Sequence, residues 1–387
     1  MRYVLSLPEP IIKGNHCETS AIKRVFDYYN QGYSEQMLFG LGGGIGFIYL
    51  SDKSMLVPFI GTKNGRVGNA VRGVAELLSL ELDVKETESK KKAFENVLND
   101  LKENRPVIIN VDMALLPYTG VPANEHFGGH AIALFGIDQE CNEAYIYDRG
   151  KHVVVERLDA LIEARSSDFA PFRPHNRSFH FKGIEKAIEL TEASAVKALR
   201  RCYSTLVFPP IKRIGFSGMD MWLDDFGPVT DSMDSDRFFD YLTTIYTYIV
   251  IGGTGGDAFR SLFSVFLREL SEHFESLSQL LGLSKRYQGI ATLWLKIADD
   301  CFPTHLRNMN TFRTALDKKN ALFEEYEDDV RFKMQEQSEL IDSCRGKAVE
   351  EAASNKKMIV ERIQESILEC ITAEKSAINE LKEVLSL

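Results

Sequence analysis

The stretch GGHAIALFGIDQECNEAYIYDRG (residues 128–150) decides the fold. HAIALFGID is a nearly continuous apolar run, AYIYDRG is a second one, and the polar residues between them are turn formers, so the stretch reads as a β-hairpin. Just upstream, VIINVDM (107–113) is a clean buried strand. Just downstream, HVVVERL (152–158) predicts a third strand in the run, and LDALIEAR (158–165) a short helix. The segments before this run are helical. Residues 17–31 put Ala21, Ile22, Val25, Phe26 and Tyr29 on one face, with Asn15 or His16 at the cap. RVGNAVRGVAELLSL (66–80) and KKAFENVLNDLKENRP (91–106) follow with the same period. Helices first and antiparallel strands second predict an α+β domain, not a doubly wound parallel sheet.

A chain of 387 residues is too long for one ordinary core, so two domains are expected. SSDFAPFRPHNRSFHF (166–181) is rich in Pro and polar residues and marks a boundary, giving domains at 1–175 and 185–387. The second is mainly α-helical. GIEKAIELTEASAVKALRRCYSTL (183–206) has helical periodicity, and GGTGGDAFRSLFSVFLRELSEHF (252–274) sets a glycine loop before a long helix. Toward the C-terminus, Met358, Ile359, Ile363, Ile367, Leu368, Ile371, Ile378, Leu381 and Leu385 build an apolar stripe that must be buried. The expected partner is residues 320–341, folded back through 342–355 as a helical hairpin, with a homodimer as a further contact. The acidic run EEYEDD (324–329) is read as a solvated helix face.

The formal net charge of −10 gives no general attraction to nucleic acid or to anionic lipid. FFDYLTTIYTYIVIGGTGG (238–256) comes nearest to a membrane span, but it carries Asp240 and ends in glycines, so a buried helix is expected. The opening MRYVLSLPEPIIKG is broken by Pro8 and Pro10, and no secretory signal is read there. Six cysteines, at 17, 141, 202, 301, 344 and 370, form no CxxC pair. Their wide spacing fits a reducing compartment, the cytoplasm, better than a disulfide scaffold or a zinc site. The histidines show no metal-binding spacing either, and no bound cofactor is expected.

Cys17 is set apart by its position. At a helix N-terminus the unpaired N–H groups and the macrodipole favour a thiolate, and a nearby imidazolium adds to this. His130 opens an apolar strand after two glycines, and Asp148 closes the partner strand. A hairpin can bring the last two together, so that the carboxylate orients the imidazole. Taken singly, a cysteine at a helix start is more often structural, a strand histidine is usually a satisfied residue, and an Asp before Arg-Gly is a turn former. The chain order Cys, His, Asp, with the Cys opening a helix, is the layout of a papain-like site.

HCETSAIKRVFDYY (16–29), SEQMLFGLGGGIGFIY (34–49), GGHAIALFGID and AYIYDRG together resemble the butirosin-biosynthesis acyltransferase family, whose N-terminal domain is similar to a papain-like peptidase. GFSGMDMWLDDF (215–226) and IVIGGTGGDAFRSLFSVFL (249–267) resemble the helical domain that accompanies it. The resemblance extends to about residue 300. It implies an antibiotic-biosynthesis acyltransferase. Such an enzyme takes an acyl or aminoacyl group from the phosphopantetheine thioester of an acyl or peptidyl carrier protein and passes it to a small-molecule amine. Carried over, Cys17 is the nucleophile, His130 the general base and acid, and Asp148 its orienter.

One departure concerns the oxyanion donor. The peptidase relatives carry a Gln a few residues before the Cys, and here PIIKGNHC (10–17) has none. Asn15, His16 or backbone N–H groups near Cys17 would supply the donor. Gly129 and the glycines of GLGGGIGF, Gly43 and Gly44, would shape the wall of the acyl site. The loop before Arg260 reads either as an anion site for a pantetheine phosphate or as a close helix–helix crossing. Two rival functions remain on these residues: hydrolysis by the same triad as a thioesterase, amidase or peptidase, and a non-enzymatic scaffold with a degenerate peptidase fold. If Asp148 is not the orienter, Asp138 is the next candidate.

Overall fold

A computed structural model describes residues 1–387 except 8, 53–54, 64–65, 123, 171, 326–329 and 387. The acidic run 324–329 therefore lies largely outside the described residues. The chain divides into two compact units. The first comprises Met1–Leu38, Arg66–Leu190 and Lys319–Glu336, and the second Phe39–Gly65, Thr191–Lys318 and Gln337–Leu387.

In the first unit, β1 (Arg2–Val4) and α1 (Cys17–Tyr28) are followed by α2 (Glu35–Leu41), at whose end the second unit begins. The chain passes through β2 (Ile45–Leu50) and β3 (Phe59–Lys63) of the second unit. It returns as α3 (Asn69–Leu77), β4 (Glu81–Lys85), α4 (Lys90–Lys102), β5 (Val107–Val111), β6 (His130–Asp138), β7 (Glu143–Tyr147), β8 (Val154–Arg157), α5 (Leu158–Arg165) and β9 (Ser178–Lys182). Among the described residues, seven strands form one sheet in the order β4-β9-β5-β6-β7-β8, with β1 also paired to β6. Every pairing is antiparallel. The α+β class is as expected, but the order is corrected: β1 to β4 interleave with the helices that were expected to come first.

β6 is buried at all nine positions, which is why its sequence reads as a continuous apolar run and not as an alternation. One face of the sheet places Val107, Ile109, Val111, Ile132, Leu134, Ala144 and Ile146 against Val97 and Leu101 of α4 and Leu161 of α5. α1 also packs on β6, where Tyr28 meets Phe135 edge to face at 5.8 Å. Each large side chain buried in this way stabilises the unit by roughly 1.5–3 kcal/mol.

The boundary expected within 165–185 is corrected. β9 lies in that segment and pairs with both β4 and β5, inside the sheet. A cut at 175 would remove an interior strand. Ser178–Lys182 has the strand signal, but the prolines and polar residues before it hid it. The first unit instead runs on to Leu190.

The second unit continues with α6 (Glu192–Val207), α7 (Gly215–Asp231), α8 (Ser235–Tyr246), a π-turn at Thr247–Ile251, α9 (Arg260–His273), α10 (Leu280–Cys301), α11 (Arg307–Glu325), α12 (Val330–Ser354) and α13 (Lys356–Val384). The segment read as helical from 183 starts its helix only at Glu192, where the Thr191 side chain caps the Ser194 N–H. The 238–256 stretch is the buried end of α8 and its following loop, and among the described residues no helix is long and apolar enough to cross a membrane. Phe47, Trp222 and Trp294 stack in the core of this unit.

The C-terminal hairpin is corrected as well. The expected connector 342–355 is itself helical within α12, and α13 packs on α10, α7 and α6. Ile359, Ile363, Ile367, Ile371, Ile378, Leu381 and Leu385 are buried there, whereas Leu368 points outward at 55% exposure. Length decided this: a charge-rich segment whose connector holds a single glycine, Gly346, and no proline propagates as helix straight through it. The end of α11 and the start of α12 belong to the first unit, where Phe323, Val330 and Met334 form a small cluster with Met113.

Candidate active site

α1 begins at Cys17 because the preceding residue is extended and caps it. His16 has φ −115° and ψ 131°, and its Nδ1 accepts the Thr19 N–H at 3.4 Å. The stretch before the helix is stitched to the loop after β7. Gly14 N donates to Arg149 O at 2.8 Å, and the Arg149 guanidinium donates to Asn15 O at 3.4 Å. Arg24, buried on α1, donates to Gly150 O at 3.0 Å and to Asp148 O at 3.4 Å. A Cβ at Gly14 would stand 1.8 Å from Ser20 Oγ, so glycine is needed for this close approach.

These contacts bring the three candidate residues together. His130, 3% exposed, presents Nε2 to Asp148 Oδ2 at 2.7 Å. The Cys17 side chain hydrogen-bonds to the same imidazole. With Nε2 committed to Asp148, Nδ1 is the nitrogen left for the sulfur. Cys17 is half-buried, open enough for a substrate to reach.

The electrostatics follow from the pairing. Burial alone would lower the pKa of His130, but the charge and hydrogen bond of Asp148, helped by Cys17, raise it to about 10. Burial likewise pushes Asp148 up, and the charge and hydrogen bond of His130, with Arg149, hold it below the usual carboxylate value. The histidine is therefore kept as imidazolium beside the thiol at neutral pH, the condition that favours a thiolate.

Three further residues support this core and were not singled out from the sequence. Tyr118 donates its hydroxyl to Asp148 Oδ2 at 3.0 Å, the oxygen that also receives His130. The Arg149 N–H takes the other oxygen, Oδ1, at 2.8 Å. Glu35, buried at the start of α2, accepts the His16 N–H at 2.9 Å, the Asn15 N–H at 2.9 Å, and the hydroxyls of Thr19 and Ser20 at 3.0 Å each. Glu18, next to Cys17, turns away and caps α3 through the Ala70 N–H at 3.0 Å. No sequence spacing marks these partners. The S-x-x-E-type signals for caps operate within one helix, and these caps come from another.

The expected secondary residues divide. The Asn15 side-chain amide donates to Glu35 at 3.1 Å, which ties it to the loop before α1. His16 is the cap of α1. Gly129 borders the triad: a Cβ there would stand 2.8 Å from the Phe127 ring and 2.9 Å from Val67 Cγ2. Gly43 and Gly44 lie in the second unit, both with positive φ, and a Cβ on Gly44 would meet Cys202 Sγ and Phe263 at 3.5 Å. Chain geometry and packing in that unit account for them. Asp138 caps the β6–β7 turn through the N–H groups of Glu140 and Cys141, at the far end of the strand from His130. With Cys141 and Glu143 it forms a group of ligand-type atoms within 4.8 Å of one another at this turn.

The anion reading of Arg260 is corrected. Its guanidinium is fully buried and faces inward, donating to Glu374 Oε1 at 2.7 Å, Thr62 O at 2.9 Å and Ala258 O at 2.7 Å. Trp294 Nε1 also donates to Glu374 Oε1, at 2.6 Å. The arginine ties the β3 strand to the helices, and so residues 39–65 belong to the second unit.

The family described as butirosin biosynthesis protein H, N-terminal, matches residues 16–149, a span that opens at His16 beside Cys17 and closes just past Asp148. A domain of unknown function (DUF4872) matches residues 159–327. No curated protein matches the chain. Over residues 16–149, the chain is thus similar to the butirosin biosynthesis protein H N-terminal family.

Proposed function

We propose that the protein is a cysteine-dependent acyltransferase of antibiotic or related secondary-metabolite biosynthesis, with a papain-like arrangement of Cys17, His130 and Asp148. The observation that carries this is the single imidazole that meets Asp148 through Nε2 at 2.7 Å and is hydrogen-bonded by Cys17. The match to a family described as butirosin biosynthesis protein H supports the biosynthetic setting.

The donor is an acyl or aminoacyl thioester on the phosphopantetheine of a carrier protein. The Cys17 thiolate attacks the thioester carbonyl, the new C–S bond forms, and the bond to the pantetheine sulfur breaks. The departing thiolate takes the proton from His130. One thioester replaces another, so no nucleotide is needed to drive the step. His130, now neutral, removes a proton from the attacking amine, whose nitrogen forms the amide bond as Cys17 leaves. Asp148 keeps the imidazole oriented and stabilises its charged form in both half-reactions.

The test is to incubate the protein with an acyl N-acetylcysteamine thioester, with and without a primary amine, and to identify products by mass. Amide that accumulates only with both enzyme and amine supports transfer. Free acid formed at the same rate whether or not amine is present would assign the triad to hydrolysis.

A further inference from the structure

Beside His130 the chain presents an aromatic surface that the triad chemistry does not use. Gly129 is its floor, and the Phe127 ring and a Val67 methyl close over it. The Phe172 ring packs on Phe127 with centroids 5.1 Å apart. Phe172 is 42% exposed and Phe127 and Val67 are half-buried, an apolar cluster left in contact with water beside the candidate nucleophile. Val67 lies just before α3, whose first N–H groups are capped by Glu18, the neighbour of Cys17. The ledge and the sulfur therefore border the same end of α1.

The ledge is built on a rigid base. Asp112, fully buried after β5, accepts the Phe127 N–H at 3.1 Å, His126 Nδ1–H at 2.8 Å and the Ser167 hydroxyl at 2.5 Å. One carboxylate thus fastens together the loop that carries Phe127 and the loop that leads to Phe172. Met113 N donates to Phe127 O at 3.1 Å and fixes the same backbone from the other side. A Cβ at Gly128 would stand 2.1 Å from Phe172 O, so the glycine pair before His130 is what admits this loop. Preorganised apolar walls with a few placed polar groups are the usual make-up of a small-molecule subsite.

We propose that Phe127, Val67 and Phe172 bind the acyl group of the donor, and that the site selects acyl groups with an apolar portion. This rests on the acyl-transfer reading of Cys17. A carbonyl held at bonding distance from Cys17 must place its substituent along a wall adjoining the Cys17–His130 pair, and the ledge packed over Gly129, the residue before His130, is such a wall.

The test compares the hexanoyl and acetyl thioesters of N-acetylcysteamine as acylating agents of Cys17, read by acid quench and intact mass. The expected preference for hexanoyl is about tenfold or more in second-order rate, given four additional methylenes of which part are buried. Phe172→Ala removes an exposed ring and keeps the fold, and it is expected to bring the hexanoyl-to-acetyl ratio down severalfold. Phe127→Leu should lower the ratio further. Equal rates for the two thioesters, with Cys17 acylated by both, would overturn the ledge and leave acyl transfer standing. A ratio unchanged in both variants would also overturn it. If iodoacetamide labels Cys17 yet neither thioester acylates it, acyl transfer itself fails, and with it the assignment of the ledge to an acyl group.

Discussion

Each unit of the molecule holds a charged pair with both members buried, and the two pairs differ in what surrounds them. In the second unit, Arg260 and Glu374 are both fully buried, with the arginine spread over backbone carbonyls and the Trp294 ring. The guanidinium stays charged near neutral pH, and the thiols that feel this pair, Cys202 and Cys370, are buried with their pKa raised. In the first unit, His130 and Asp148 are equally buried, but the cation is a histidine and a half-buried thiol shares it. Burial with opposite charge is common to both, so it does not by itself mark a site. A titratable partner with a reactive group at its free nitrogen does. On the proposed reading the first pair moves a proton, whereas the second holds a polar link between β3 and the helices.

This contrast can be broken by substitution. His130→Ala is expected to lower acyl transfer about 10²- to 10⁴-fold, the usual loss of a general acid–base group, and to lower the melting temperature as well, because Asp148 is left buried without its partner. Kinetics near wild type would remove His130 from the chemistry. Glu374→Ala should cost stability through a pair that the proposed chemistry does not use. It leaves the Arg260 charge buried without its partner, which costs about 3–5 kcal/mol and should appear as a clear drop in thermal or urea stability. A stable Glu374→Ala protein would show that Arg260 finds water, and that the pair is not a core link.

The pH dependence sharpens the same comparison. His130 has its pKa raised to about 10 in the fold, above the ordinary value of 6.5. Its contribution to stability is therefore complete below 6.5 and is lost as pH rises through about 10. Asp148 is held below its ordinary 3.8, so its contribution is present above 3.8 and is lost as acid titrates the folded group. Acylation of Cys17 by a thioester should fall on the alkaline side, as the imidazolium that protonates the leaving thiolate is lost, and Asp148→Asn should move that fall toward neutral pH. An unmoved profile would detach Asp148 from the imidazole. The smallest effect belongs to Tyr118→Phe, which removes one of the hydrogen bonds on Asp148. A net hydrogen bond is worth about 0.5–1.5 kcal/mol, so a loss of only a few-fold in rate is expected, with the alkaline limb displaced relative to wild type. A loss as large as that of His130→Ala would make Tyr118 a participant in the reaction.

What could be read from the sequence was local. β6 starts at His130 and α5 spans Leu158–Arg165, where the apolar pattern and the flanking turns agree. Cys17 at the first position of a helix was legible for the same reason. What stayed hidden depended on partners far along the chain. Tyr118 reaches Asp148 across thirty residues, and Glu35 reaches back to His16 across nineteen, through contacts that exist only once the sheet has formed. β9 was obscured by prolines that belong to the loop before it. Arg260 looked available for an anion because a glycine loop precedes it, while its partner Glu374 sits 114 residues away. α13 showed its apolar stripe clearly, but the stripe could not say which helices would cover it.

The remaining cysteines supply an internal control for the central claim. Burial pushes the thiol of Cys202 up to about 12, and Cys301 and Cys370 are also raised by burial. The decisive measurement is therefore to mix the protein with an acyl thioester, quench in acid within seconds, and map the modified peptide. The expected result is a single acyl group on the peptide that begins α1, at Cys17, absent from Cys17→Ser and much slower to appear in His130→Ala. Acyl groups spread over other cysteines, or a Cys17→Ser protein that consumes the thioester at the wild-type rate, would contradict it.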